Sequence, residues 1–138
     1  MTNEDYIKRV TILGQYCYPE RGEATVLIVF SCLKKTLAEE SNLIVTDLLP
    51  EPVKSLWKGA SINGRVNDKD CITLAIEIGN YPYRAAAERA FEIVFASIRE
   101  IIDDKEKIKI LELLPLYLKA IFERSRSCAL DGSAEDFL

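Results

Sequence analysis

Four cysteines, six tyrosines and 22 acidic residues carry the reactive groups of this 138-residue sequence, and histidine is absent. Without an imidazole there is no Ser-His or Cys-His pair, and the commonest general base and metal ligand is missing. Catalysis by carboxylates or by a lone thiol would require groups that converge in space. The adjacent acids Glu39-Glu40 and Asp103-Asp104 each follow a long apolar-striped segment, where solvated helix ends are the usual explanation. Cys17, Cys32, Cys71 and Cys128 form no C-x-x-C and no paired spacing. They read as reduced thiols used as small apolar residues, not as a zinc or disulfide framework. Gly59 and Gly64 lack the following Lys-Ser/Thr or the strand context of a phosphate loop. The expectation is no catalytic residue, no metal site, no cofactor and no enzymatic activity.

One polar feature occurs twice. The corner Gly14-Gln15-Tyr16-Cys17-Tyr18 returns as Gly79-Asn80-Tyr81-Pro82-Tyr83. Tyr16, Tyr18, Tyr81 and Tyr83 thus make a candidate pair of binding corners with phenol hydroxyls as handles. The competing reading is that the rings plug the elbow between two helices, each hydroxyl finding a local partner. Trp57, matched 65 positions later by Phe122, reads as core.

The corners belong to a longer internal repeat. Glu23 to Leu37 aligns with Glu88 to Ile102 at an offset of 65 residues, and the alignment extends without a gap in both directions. Ile7, Gly14, Tyr16, Tyr18, Glu23, Ile28, Val29 and Phe30 recur, as do Leu48, Leu49, Pro50 and Lys54. Identities concentrated at apolar and special-backbone positions read as a tandem structural repeat.

The elements follow from periodicity. Asn3 is a candidate N-cap with Glu4 and Asp5 in the first turn, and Ile7, Val10 and Leu13 share one helical face. Gly14 and Gly79 sit where a helix C-terminus favours a left-handed residue. Pro19 suits the first turn of the next helix. Val26 to Phe30 alone resembles a buried strand. Its copy carries Ala85, Ala86, Ala87, Glu88 and Ala90, with Phe91, Phe95, Ile98 and Ile102 at helical spacing, so both segments read as helix. Pro50 and Pro115 interrupt the third unit, giving a short helix, a kink, and a last turn-and-a-half with Val53, Leu56 and Trp57. The stretch from Lys58 to Asp68 reads as a linker with an Asn63-Gly64 turn and an Asn67-Asp68 cap. The polar tail after residue 125 is expected to fray.

The fold expectation is therefore all-α: two three-helix units, 3–59 and 68–125, joined by a linker at 60–67 and packed as one bundle-like domain. A polar tail, 126–138, follows. Net charge is −4, and basic residues are scattered in ones and twos, so the basic face that phosphate binding requires is not expected. The longest unbroken apolar run, Val26 to Phe30, is far too short to span a bilayer. The N-terminal residues lack a basic segment followed by an apolar run, so no signal peptide is expected and the cytoplasm is the default location.

A capped helix ending in Gly, an Ala/Glu-rich second helix and a Leu-Pro element before a final apolar turn resemble domain-of-unknown-function family 2267. The residues that carry the resemblance are Leu49-Pro50, Leu114-Pro115 and the Ala-Glu-Arg-Ala run of residues 87 to 90, and it extends over Tyr6 to Ser125. It implies a small bacterial all-helical protein in which the unit is repeated, and it brings no established catalytic residues. The family often places a polar residue before its Leu-Pro, where this chain has Leu48 and Leu113.

Differences between the copies bear most on function. Ile12, Leu27 and Ile44 stand where the second copy has Glu77, Glu92 and Lys109. Charged residues mark these as outward positions, so the three apolar residues form a candidate interaction patch for a protein partner or a second copy. The alternative is that they face the other repeat inside one monomer. The leading function is a non-enzymatic helical adaptor or regulatory protein acting through protein–protein association. The alternative function is a small-molecule binder using a groove between the repeats.

Overall fold

Capping, apolar spacing and proline placement divide this chain into more helices than six. In a computed structural model, which describes residues 1–61 and 70–134 with side chains through residue 126, there are eight helices and no strand among the described residues. They are α1 (Asn3–Gly14), α2 (Pro19–Thr36), α3 (Glu39–Leu48) and α4 (Val53–Gly59), then α5 (Cys71–Gly79), α6 (Arg84–Arg99), α7 (Asp104–Leu113) and α8 (Leu116–Ala134).

Each third unit is thus two separate helices and not one kinked helix. Steric conflict with the following proline ring drives the preceding residue out of the helical region. Leu49, before Pro50, has φ −77° and ψ 130°, and Leu114, before Pro115, has φ −83° and ψ 144°.

Four other details differ from the sequence expectations. The cap of α1 is Thr2, not Asn3. The Thr2 hydroxyl accepts the Asp5 amide at 3.1 Å and the Asp5 carboxylate accepts the Thr2 amide at 3.0 Å, a reciprocal pair that Asn3 has no partner to form. The left-handed residues are Gln15 (φ 57°) and Asn80 (φ 54°), one position beyond the glycines. Asp70 caps α5 by accepting the Thr73 amide at 2.7 Å, while Asn63-Gly64 and Asn67-Asp68 lie outside the described residues. Finally, α8 continues through residues 126–134, because an established helix propagates at one backbone hydrogen bond per residue added; residues 135–138 lie outside the described set.

The core forms around α2 and α6, which pack on each other. α1 lies against both of them, and so does α5; α4 packs on α2 and α8 on α6. On α2 the buried face comprises Val26, Val29, Phe30 and Leu33, and on α6 it comprises Phe91, Val94, Phe95 and Ile98. Each such side chain contributes about 1.5–3 kcal/mol of transfer free energy as an upper bound. The rings repeat one geometry. Phe30 meets Trp57 edge-on at 5.2 Å and 67°, and 65 positions on Phe95 meets Phe122 at 5.1 Å and 63°. α3 and α7 bury little, chiefly Val45 and Ile110, and pack against each other at the edge of this core.

Candidate functional site

The two tyrosine corners are built by glycine. Gly14 and Gly79 end α1 and α5, and the chain then turns through the left-handed Gln15 and Asn80. This turn folds the next ring back over the helix end. A side chain on Gly14 would collide with the Tyr16 ring, and a Cβ on Gly79 would sit 2.6 Å from Cε2 of Tyr81. Glycine is required here because the ring occupies the place of its missing side chain, not because its own φ is positive.

Tyr16 and Tyr81 are half-buried neighbours, whereas Tyr18 and Tyr83 are each 64% exposed as the N-cap residues of α2 and α6. Burial, reinforced by Tyr16, pushes the Tyr81 phenol up to about 12 against the opposing hydrogen bond with Thr25. At neutral pH it is a hydrogen-bonding group and not a base.

The proposed patch residues fall into different environments. Ile12 on α1 is 43% exposed and Ile44 on α3 is 42% exposed. Leu27 on α2 is half-buried and packs against the core. α1 lies on α2, while α3 packs against α4 and α7, so Ile12 is on the helix adjoining Leu27's and Ile44 is on a helix with at most marginal contact to either. At the corresponding positions Glu77 and Lys109 are exposed, and Glu92 reaches Arg124 at 3.7 Å.

Sequence reasoning missed two further features. Leu43 and Ile108, 65 positions apart on α3 and α7, are exposed by 63% and 56%. Their signal was an apolar residue outside the core stripe in both copies. The second feature pairs Lys34 with Arg99. Lys34 Nζ donates to the carbonyls of Trp57 at 2.8 Å and Ala60 at 2.7 Å, closing the end of α4 and lying 6.0 Å from the Trp57 ring centre. Arg99 donates to the Phe122 carbonyl at 2.9 Å and to the Ser125 hydroxyl at 2.8 Å, with its guanidinium 4.2 Å from the Phe122 ring centre. Burial lowers the pKa of Lys34. Basic residues set 23 positions before Trp57 and Phe122 were the available clue.

Between the two halves lies a cavity of about 20 Å³, lined by Leu33, Val45, Leu49 and Trp57 and, 65 positions on, by Ile98, Ile110, Leu114 and Phe122. Leu37 and Phe95 complete a wholly apolar wall. No aspartate or glutamate is buried among the described residues, and no group of three His, Cys, Asp or Glu side chains is placed to hold a metal ion. Nor is any described helix long and apolar enough to cross a membrane. Comparison with known proteins returns no matching family model, no matching curated protein and no matching solved structure.

Proposed function

We propose that this chain is a tandem helical repeat that works as a non-enzymatic adaptor or regulatory protein, through protein–protein association in the cytoplasm. The repeat reading rests on geometry that recurs at an offset of 65 residues: the two edge-on ring pairs, the Lys34 and Arg99 contacts and the two Gly-x-Tyr corners. It is also the arrangement implied by the resemblance to family 2267. The observation that carries the association reading is the exposure of Ile12 and Ile44, where the other half exposes Glu77 and Lys109. Folding tolerates a charge at such positions, so an apolar residue there serves something other than the core. Nucleic acid and membrane are not the partners proposed, given a net charge of −4 with basic residues scattered in ones and twos along the sequence.

The test is capture of a partner from the native cell, followed by reconstitution with that partner purified. Ile12→Glu with Ile44→Lys should leave the melting temperature within a few degrees and weaken the reconstituted complex at least about tenfold. An unchanged affinity would remove these residues from the interface and, with them, the reading.

The alternative reading, a small-molecule binder between the repeats, has the apolar cavity in its favour. About 20 Å³ admits one small apolar atom or molecule, well below the roughly 300–1,000 Å³ of ordinary ligand pockets, and no polar group lines it to orient a ligand.

A further inference from the structure

α3 and α7 pack side by side, bury only Val45 and Ile110 among their own residues, and turn an exposed stripe outward. On α3 that stripe is Glu40, Leu43, Ile44 and Asp47, at the i, i+3, i+4, i+7 spacing of one helical face. On α7 the same positions are Lys105, Ile108, Lys109 and Glu112. Leu43, Ile44 and Ile108 are 63%, 42% and 56% exposed, so each of the two stripes has an apolar middle. The charges around the two middles differ in sign. The α3 stripe carries two acids and no base, whereas the α7 stripe carries two lysines and a single acid at its end; off the stripe, Asp104, Glu106 and Lys107 leave α7 as a whole charge-balanced.

A surface with an acidic apolar stripe beside an apolar stripe in which lysines outnumber acids is complementary to itself after a two-fold rotation. Laying α3 on the partner's α3 would bring acids together, and laying α7 on the partner's α7 would bring lysines together. Only the crossed arrangement sets Glu40 and Asp47 among Lys105 and Lys109 while covering Leu43, Ile44 and Ile108 on both copies. We propose that two copies of this chain dimerise about a two-fold axis, the α3 face of each seated on the α7 face of the other. The occupant of this surface is thus a second copy, with salt-sensitive charged edges around an apolar centre. This inference rests on the association reading through Ile44 and specifies the partner.

Two charge-reversed proteins test it by sedimentation velocity, with circular dichroism confirming that each is folded. In one, Glu40→Lys and Asp47→Lys make the α3 face basic; in the other, Lys105→Glu and Lys109→Glu make the α7 face acidic. Wild type is expected to be a dimer. Each variant alone should self-associate at least about tenfold more weakly, because both crossed contacts then bring like charges together. An equimolar mixture of the two should restore the dimer, since both contacts of the mixed pair are again complementary. A monomeric wild type, variants that dimerise as wild type does, or a mixture that stays monomeric would each overturn the crossed arrangement. A monomeric wild type would leave the association reading standing, because that reading is judged on the reconstituted partner complex and the Ile12 and Ile44 substitutions.

Discussion

Tyr6 on α1 and Ser97 on α6, 91 residues apart in sequence, share a 2.7 Å hydrogen bond in the buried core. The Ser97 hydroxyl donates onward to the Val94 carbonyl at 2.6 Å, so the Tyr6 phenol is the donor and Ser97 the relay. The direction makes the two substitutions unequal. Tyr6→Phe leaves Ser97 its Val94 partner and should cost about 1 kcal/mol, lowering Tm by roughly 3 °C. Ser97→Ala strands a buried phenol and should cost more, about 1–3 kcal/mol. Thermal melts of both proteins check the order; equal losses would mean that the phenol finds another partner.

The Gly79–Tyr81 contact predicts a non-additive pair. A Cβ at position 79 meets Tyr81 Cε2 at 2.6 Å and Ile28 Cδ1 at 3.2 Å, so Gly79→Ala must displace the ring. The expected loss is about 1–3 kcal/mol by overpacking. Once Tyr81→Ala has removed the ring, the extra methyl should cost much less, and the double-mutant cycle should show a favourable coupling of at least about 0.5 kcal/mol. Urea unfolding of the four proteins measures it.

Asp70 predicts the acid side of the stability profile. Burial of its carboxyl acts to raise its pKa, but the Thr73 amide and the Arg84 guanidinium, 3.2 Å away, outweigh that, and the net effect is a pKa below 3.8. With the folded pKa below the unfolded one, the stabilisation is fully present above pH 3.8 and is lost as pH falls through the lower folded value. Wild type should therefore melt higher than Asp70→Asn at about pH 6, and the gap should close towards about pH 2. A gap that persists at low pH would assign the contribution to shape and not to charge.

Helix type and the core stripe were legible because they depend on local spacing. Phe91, Phe95 and Ile98 repeat every three to four residues, and the copy resolved the strand-like appearance of Val26 to Phe30. The cap was misplaced by one position because Asn3 and Thr2 both carry suitable oxygens, and only the reciprocal Asp5 bond separates them. The role of Gly14 is ambiguous in the sequence for a comparable reason. A left-handed residue and a missing side chain both favour glycine, and the return of the Tyr16 ring becomes visible only in three dimensions. Leu27 shows the limit for the candidate patch. Its counterpart Glu92 reads as outward, yet that carboxylate lies beside Arg124, a partner whose counterpart in the first half is Gly59.

That missing partner gives a test of structural equivalence. Arg124 holds Glu88 at 3.0 Å and stands 3.7 Å from Glu92 Oε2, whereas a glutamate at position 27 would lie half-buried one turn from Glu23 with only Gly59 at the matching place on α4. Leu27→Glu alone should therefore be destabilising by about 1–3 kcal/mol, from lost apolar burial and an unpaired carboxylate. A Cβ at Gly59, the last residue of α4, meets nothing within 4 Å, so a side chain can be started there without a clash. If the two halves are one design used twice, adding Gly59→Arg should recreate the pair and recover about 0.2–1 kcal/mol, the usual range for an exposed ion pair. The recovery should shrink in high salt. A double-mutant cycle with zero coupling at low salt would mean that α2 and α4 do not present positions 27 and 59 as α6 and α8 present 92 and 124. The repeat would then end at the level of the core rings, short of the surface where association is proposed.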